Sequence, residues 1–368
     1  MSTLRPRPFG PLSSLVAFLL VACGASQPDG APLAATAANR PDEPAAAAAE
    51  TPAPPTTAIA PPGGARGCLA TSPRAKAVQV AVFPDDGEAP YADVIASATH
   101  SLRVFGYIMG NGAVLDGLIE RARAGVSVRV ILDGETQRDV NDKYKPRLEE
   151  AGAEVVYSDP AFRYMHAKTI VADEARALVS TGNYARSFML RERNFAADLR
   201  DPDDVADLIH LFDADFKRTS PTLTCTRLVV SPINSRARIV DLIKSATKEV
   251  RIESMQLADR ELRDALIERK RAGVAVSAIV ADPTWSDANA SAAALLGKEG
   301  IEVRYVLAPH VHVKAILVDG AWAYLGSENL SATSLDKNRE IGVFVSDTAA
   351  LKRMNDTFQA DWVKSTAF

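Results

Sequence analysis

Two stretches of this 368-residue chain, YMHAKTIVAD at 164–173 and HVHVKAILVD at 310–319, each hold His, then Lys two residues on, then Asp five further. They place His166, Lys168 and Asp173 in one phrase and His312, Lys314 and Asp319 in the other, using two of the chain's five histidines. On an extended strand, residues i and i+2 project from one face, so each imidazole lies beside an ammonium. That pair suits phosphoryl chemistry better than a core. The lysine neutralises non-bridging oxygens, a neutral imidazole can attack phosphorus, and a protonated one can donate to a leaving oxygen. Two facing phrases supply a nucleophile and an acid. Thr181 and Asn183 in STGN, with Ser327 and Asn329 in GSEN, add neutral hydrogen-bonding groups for phosphate oxygens, while Asp173 and Asp319 read as braces of the strand turns.

The phrases belong to a longer duplication. DVIASATHSLRV at 93–104 matches DLIKSATKEVRI at 241–252, and LIERARAGVSVRVI at 118–131 matches LIERKRAGVAVSAI at 266–279, both at an offset of 148. The His-x-Lys phrases follow at an offset of 146, so one unit is written twice. In each copy, apolar runs predict strands such as SLRVFGYI, VSVRVIL and HAKTIVA, interleaved with amphipathic helices. The expected fold class is α/β: two duplicated α/β/α sandwich lobes with mixed sheets, related by a pseudo-two-fold, with the active site at the lobe interface. The expected boundaries are a signal peptide at 1–23, a disordered Ala/Pro-rich tether at 24–67, lobe 1 at 68–223 and lobe 2 at 224–368.

The pattern His-x-Lys-x4-Asp-x6-Gly-Ser-x-Asn, complete in the second copy, resembles the phospholipase D superfamily. The first copy departs from it: Ser180 replaces Gly, Thr181 replaces Ser, and Asn194 stands where the second copy has Glu340, because ERNFA aligns with NREIG. In that family such an acid holds its histidine through the second ring nitrogen. Pairing each group with the histidine of its own copy makes His312, backed by Glu340, the general acid and His166, backed by Asn194, a neutral nucleophile. The resemblance likewise implies that the N-terminal copy supplies the nucleophile, and it counts Asp173 and Asp319 in the signature. It implies two displacements through a phosphohistidine, no cofactor, and a complete site in one monomer. His310 and His312 form a His-x-His pair, but no other Cys, His or clustered carboxylate completes a ligand set, so no metal is expected. His310 reads as a loop residue, and His100 and His210 as helix-surface positions.

A net charge of -4 lacks the footprint of a general nucleic-acid binder. Arg5 and Arg7, an apolar run from Pro11 to Ala22, and Leu20-Val21-Ala22-Cys23 resemble a bacterial signal peptide with a lipobox, so Cys23 is the expected lipidation site. Gly24 after the cysteine favours the outer membrane by the same resemblance. Export leaves Cys68 and Cys225 in an oxidising compartment, either bridged or as two free thiols. The resulting expectation is a lipid-anchored envelope hydrolase that releases phosphatidic acid and a free headgroup from phospholipids. A cardiolipin-synthase-like phosphatidyl transferase, to which GSEN and Arg186-Ser187-Phe188 are similar, is an alternative; those synthases typically carry N-terminal membrane helices. A periplasmic endonuclease using the basic run KYKPR at 143–147 is another, and a non-catalytic binding protein ranks last. Trp285, in DPTWSDAN, reads as a loop anchor or as a wall of the headgroup path.

Overall fold

The computed structural model describes residues 68–368 apart from 224, 287 and 288; Cys23, the expected signal peptide and the expected tether lie outside the described residues. Lobe 1 runs β1 (Gln79–Phe83), α1 (Ala89–Ala96), β2 (Ser101–Gly106), α2 (Ala113–Arg123), β3 (Ser127–Leu132), α3 (Arg138–Asn141), α4 (Lys145–Glu150), β4 (Glu154–Tyr157), β5 (Thr169–Ala172), β6 (Arg176–Ser180), α5 (Arg186–Met189), β7 (Glu192–Leu199) and α6 (Pro202–Phe216). Lobe 2 repeats the plan with β8 (Val229–Ser231), α7 (Ser235–Lys244), β9 (Glu249–Ser254), α8 (Arg260–Arg271), β10 (Ala275–Ala281), α9 (Ala290–Lys298), β11 (Glu302–Val306), β12 (His310–Val311), β13 (Lys314–Val318), β14 (Trp322–Gly326), α10 (Ala332–Asp336), β15 (Glu340–Val345), α11 (Thr348–Lys364) and β16 (Thr366–Ala367).

The sheets have equivalent orders, β1-β7-β6-β5-β2-β3-β4 and β8-β15-β14-β13-β9-β10-β11, with β16 added at the second edge. Each is mixed: β2, β3 and β4 pair in parallel, and β5, β6, β7 and β1 antiparallel. Strand β12 leaves lobe 2 and pairs in parallel with β7 of lobe 1. Strands such as β5 and β13 read as nearly continuous apolar runs because both faces are covered, and every residue of β5, β7, β13 and β15 is buried, the polar start of β7 included. Helices α1, α2 and α4 pack Val94, Leu118 and Leu148 on the outer face of the first sheet. The inner faces share one core with α6 and α11, joining Phe105, Phe195 and Phe212 to Val313, Ile341 and Phe358. In both copies the repeated Ala-Gly-Val ends a helix: Gly125 and Gly273 take φ of 87° and 90°, which glycine adopts without a Cβ penalty.

Two equivalent ion pairs fasten this interface. Arg193, just inside β7, reaches Asp361 on α11 (2.6 Å), and Arg339, just before β15, reaches Asp215 on α6 (2.7 Å). Each arginine also donates to the end of its own lobe's first strand, at Phe83 O (2.7 Å) and Ser231 O (3.0 Å). Cys68 and Cys225 form a disulfide. The first described residues pack on lobe 2, where Ala70 joins the core beside Ile239 and Arg238 donates to Cys68 O, so lobe 1 is tied at both ends.

Asp173 and Asp319 sit in the turns after β5 and β13, at φ of 52° and 55°. Asp173 accepts from the backbone N–H groups of Thr99, His100 and Ser101, and Asp319 from those of Thr247, Lys248 and Glu249. They brace the starts of β2 and β9. His100 lies in the braced turn, exposed, rather than on a helix, and His310 begins β12 rather than lying in a loop.

Removing one partner of a buried ion pair leaves the other charge uncompensated. D361A, which removes the buried partner of Arg193 and leaves it the exposed Asp85 at 3.5 Å, should cost about 3–5 kcal/mol in urea unfolding, against about 0.3–0.5 kcal/mol for K352A at the exposed Lys352–Asp356 pair. Partial burial opposes ionisation of Asp173 and Asp319, but the backbone donors outweigh it and lower both carboxyls from 3.8 to about 2. A folded pKa below the unfolded one contributes stability that is complete above the unfolded value and lost as pH falls through the folded one. Stability should therefore drop between about pH 4 and 2, and this part of the acid sensitivity should vanish in D173N/D319N, whose amides tolerate the same positive φ.

Candidate active site

Both histidines sit where the chain passes from one sheet to the other. Met165 bridges to Arg339, His166 N and Ala167 N donate to Arg339 O at 2.9 and 3.0 Å, and β5 begins only at Thr169. The expected strand HAKTIVA thus starts late. Lobe 2 repeats the handover: His310 N donates to Arg191 O (3.1 Å) and His312 N to Arg193 O (3.2 Å) before β13 begins at Lys314.

Because each histidine segment is hydrogen-bonded to the opposite lobe, each ring meets the opposite lobe's side chains. His166 Nδ1 lies 2.7 Å from Glu340 Oε2 and 3.2 Å from Ser327 O. His312 Nδ1 lies 3.0 Å from Asn194 Oδ1. The expected pairing of His312 with Glu340 and His166 with Asn194 is therefore corrected: it is crossed. Lys168 and Lys314 each donate to their own histidine's carbonyl oxygen at 2.5 Å. Lys314 Nζ also stands 3.3 Å from both ring nitrogens of His312, and Lys168 Nζ 5.1 Å from the Tyr107 ring centroid.

The remaining sequence candidates divide into scaffold and site. Thr181 Oγ1 accepts from Phe195 N (3.0 Å) and donates to Asn194 Oδ1 (2.8 Å), while Ser327 Oγ accepts from Ile341 N (3.0 Å). These hydroxyls lock β6 to β7 and β14 to β15, rather than standing ready for a phosphate. Asn183 and Asn329 each keep a buried Oδ1 with no hydrogen-bond partner, as expected of groups that a ligand would engage. Arg186 pairs with Glu88, which also accepts from Ala113 N, and Lys145 of KYKPR pairs with Glu149, so both runs are used locally.

Four contributors escaped the sequence reading or were ranked low in it. Tyr107 meets the His166 ring edge-on at 4.6 Å between centroids, and Trp285 lies 6.1 Å from His312, lining the site. Glu328, the variable residue of GSEN, is fully buried at 2.5 Å from Tyr324 Oη; Gly326 and Gly342 leave room for both side chains. Glu192 lies 3.4 Å from His312 Nδ1 and accepts from Asn194 Nδ2 at 3.1 Å. The signal for Glu192 was visible: Glu-Arg-Asn at 192–194 is the reverse of Asn-Arg-Glu at 338–340.

Burial dominates the electrostatics. It lowers the pKa of His166, reinforced by Lys168 and Lys314 and opposed by Glu340. It drives His312 well below the ordinary histidine range, helped by Lys314, Lys168 and His166. Burial raises Glu192 to about 7 against Asn194 and the two lysines, and raises Glu328 to about 8 with help from Glu340. Burial also works against ionised Glu340, but His166 and Lys168 more than offset it and hold Glu340 below its usual value. Both rings are thus held toward the neutral form and Glu340 toward the ionised one, with Lys168 and Lys314 beside them, which suits the pocket to an anion. Among the described residues, no cluster of three or more His, Cys, Asp or Glu could hold a metal ion.

A family profile described as "Cardiolipin synthase, PLD-like domain" matches residues 91–219 and 239–362, one match in each lobe. Cardiolipin synthase B of Salmonella typhi is 26% identical over 284 residues, covering 66% of this chain and 68% of that protein. A polyphosphate kinase of Mycolicibacterium gilvum is 27% identical over 276 residues, covering 68% of this chain but only 36% of the kinase. The fold is similar to that of the phosphatidylserine synthase of Haemophilus influenzae Rd KW20, with a TM-score of 0.63 at 13% identity over 82% of this chain and 89% of that one. It is equally similar to polyphosphate kinase from Porphyromonas gingivalis, with a TM-score of 0.63 at 18% identity over 84% and 52%. Matched in both halves, where two His-x-Lys segments meet across the lobe interface, this chain belongs to the PLD-like domain family.

Proposed function

We propose that this protein is a phosphatidyl transferase, moving a phosphatidyl group from a glycerophospholipid to an alcohol through a covalent intermediate on His166. The observation that carries the reading is the crossed site, in which two buried histidines have unequal partners, Glu340 and Asn194, beside Lys168 and Lys314. With Nδ1–H donated to Glu340, Nε2 of His166 keeps its lone pair for phosphorus, and the carboxylate stabilises the positive charge that attack places on the ring. The crossed pairing thus supports His166 as nucleophile for a different reason from the one read in the sequence.

The anionic diester offsets the two lysines and favours a protonated His312. In the first displacement the His166 Nε2–P bond forms, the P–O bond to the departing alcohol breaks, and that oxygen takes the proton from His312 Nε2. In the second, the acceptor hydroxyl returns a proton to His312, its oxygen bonds to phosphorus, and the His166–P bond breaks. Similarity over two thirds of cardiolipin synthase B supports an alcohol acceptor over water, so transfer replaces hydrolysis as the preferred reading. A lipid anchor at Cys23 belongs to the same proposal, holding the site beside bilayer phospholipid.

Full-length protein given phosphatidylglycerol should yield cardiolipin and glycerol. Phosphatidic acid as sole product would restore the hydrolase, and turnover confined to single-stranded DNA or polyphosphate would overturn the lipid reading. With donor labelled at phosphorus, H312A should accumulate label and H166A should carry none; the opposite pattern would exchange the two roles.

Glu340 opposes the lowering of the His166 pKa, and the nucleophile must be unprotonated. The acid limb of kcat/KM should therefore lie below pH 6.5 and move lower still in E340Q, while kcat falls between about 10²- and 10⁴-fold. An unshifted limb would mean that Glu340 does not act on the ring.

A further inference from the structure

Each lobe carries one Asn and one Glu two residues apart, at the start of β7 in lobe 1 and at the entry to β15 in lobe 2, but in reversed order. In lobe 2, Asn338 donates to Glu340 at 2.8 Å and the carboxylate touches His166. In lobe 1, Asn194 donates to Glu192 at 3.1 Å, the amide touches His312, and the carboxylate stands 3.4 Å from the same ring nitrogen. The reversal does not remove a carboxylate from the His312 side. It sets that carboxylate back one place and inserts an amide.

We propose that Glu192 is the carboxylate partner of His312, a positioning residue that, with Asn194 holding the ring, sets the charge of the imidazole that gives and takes the alcohol proton. The inference rests on the transferase reading above.

Glu192 is itself buried, at 6% exposure, and is faced by Asn194 on its own strand, by His312 and Lys314 from lobe 2, by Lys168 ahead of β5 and by Tyr91 from α1. In the free site Glu192 and Nδ1 of His312, 3.4 Å apart, are placed to hold one proton between them while Nε2 carries the other proton of the ring. Moving the shared proton onto Nδ1 gives a carboxylate and an imidazolium at 3.4 Å, with Nδ1–H in reach of Asn194 Oδ1 and Nε2–H free for the substrate, an arrangement that an anionic diester favours. When Nε2–H then protonates the leaving alcohol, an ionised Glu192 remains beside a neutral ring and makes it the stronger base for the incoming alcohol. Glu340 serves a ring that becomes a phosphoimidazolium, so direct contact suits it; His312 must lose its proton in every cycle, and a carboxylate one step removed holds that proton less tightly.

The test compares two donors sharing one phosphatidyl group, phosphatidylglycerol and phosphatidyl-p-nitrophenol, in full-length protein. Glycerol needs a proton to leave and p-nitrophenolate does not, so the burst of the first displacement separates acid catalysis from attack. In E192Q the phosphatidylglycerol burst should fall about 10- to 100-fold while the p-nitrophenolate burst stays within about threefold. The ratio of the two bursts within one preparation does not depend on how much of it is folded. E192D and the exchanged pair E192N/N194E should recover the phosphatidylglycerol burst to within about tenfold of wild type. Equal losses on both donors in E192Q, or no recovery in either rescue variant, would overturn the assignment. A wild-type protein that turns over neither donor would instead overturn the transferase reading, and this inference with it.

Discussion

Everything at this site depends on a backbone exchange. Arg339 O accepts the N–H groups of His166 and Ala167, and Arg193 O accepts that of His312, so each histidine is fixed by the other lobe before its chain enters its own sheet. The same two arginines use their side chains to hold Asp215 and Asp361 across the interface. Backbone register and ion pairing at these residues therefore set one geometry together. Neither lobe alone offers a histidine with its ring partner.

The exchange also explains why so many polar groups can be buried in one place. An unpaired buried polar group costs about 1–3 kcal/mol, and a charged one costs more. Here each lysine meets a carbonyl oxygen, each histidine an acceptor, Glu192 and Glu340 an Asn and Glu328 the Tyr324 hydroxyl, so most of the cluster carries its own partners while the Asn183 and Asn329 oxygens are left for a ligand. Burial pushes two of its carboxyls, Glu192 and Glu328, up to about 7 and about 8, which weakens the negative charge set against the two lysines. In the proposed transfer, a diester anion supplies the charge that the resting site lacks.

Duplication gives the two halves the same scaffold, and substitution makes them different. The hydroxyls of Thr181 and Ser327, the carboxylates of Asp173 and Asp319, and the glycines closing α2 and α8 do equivalent structural work in both lobes. At the site the halves differ in Glu340 on one ring against Asn194 on the other, in Tyr107 beside His166 and Trp285 beside His312, and in Glu328 where lobe 1 has Gly182. The proposed two-step transfer needs this, because one histidine must hold phosphorus while the other only moves a proton.

The duplication, the α/β lobes and the four residues that meet at the lobe interface were legible in the sequence alone, because His166, Lys168, His312 and Lys314 recur at fixed spacing within strand-like runs. The sequence also showed that lobe 1 departs from lobe 2 at Asn194. It could not show which histidine each partner serves, because spacing along a chain carries no information about strands exchanged between lobes; reading each copy as self-contained placed Glu340 on the wrong ring. Glu192 passed as an ordinary charged residue for the same reason, since its closeness to His312 arises only when β12 crosses to β7. Local periodicity fixed the elements, and the contact between lobes decided their chemistry.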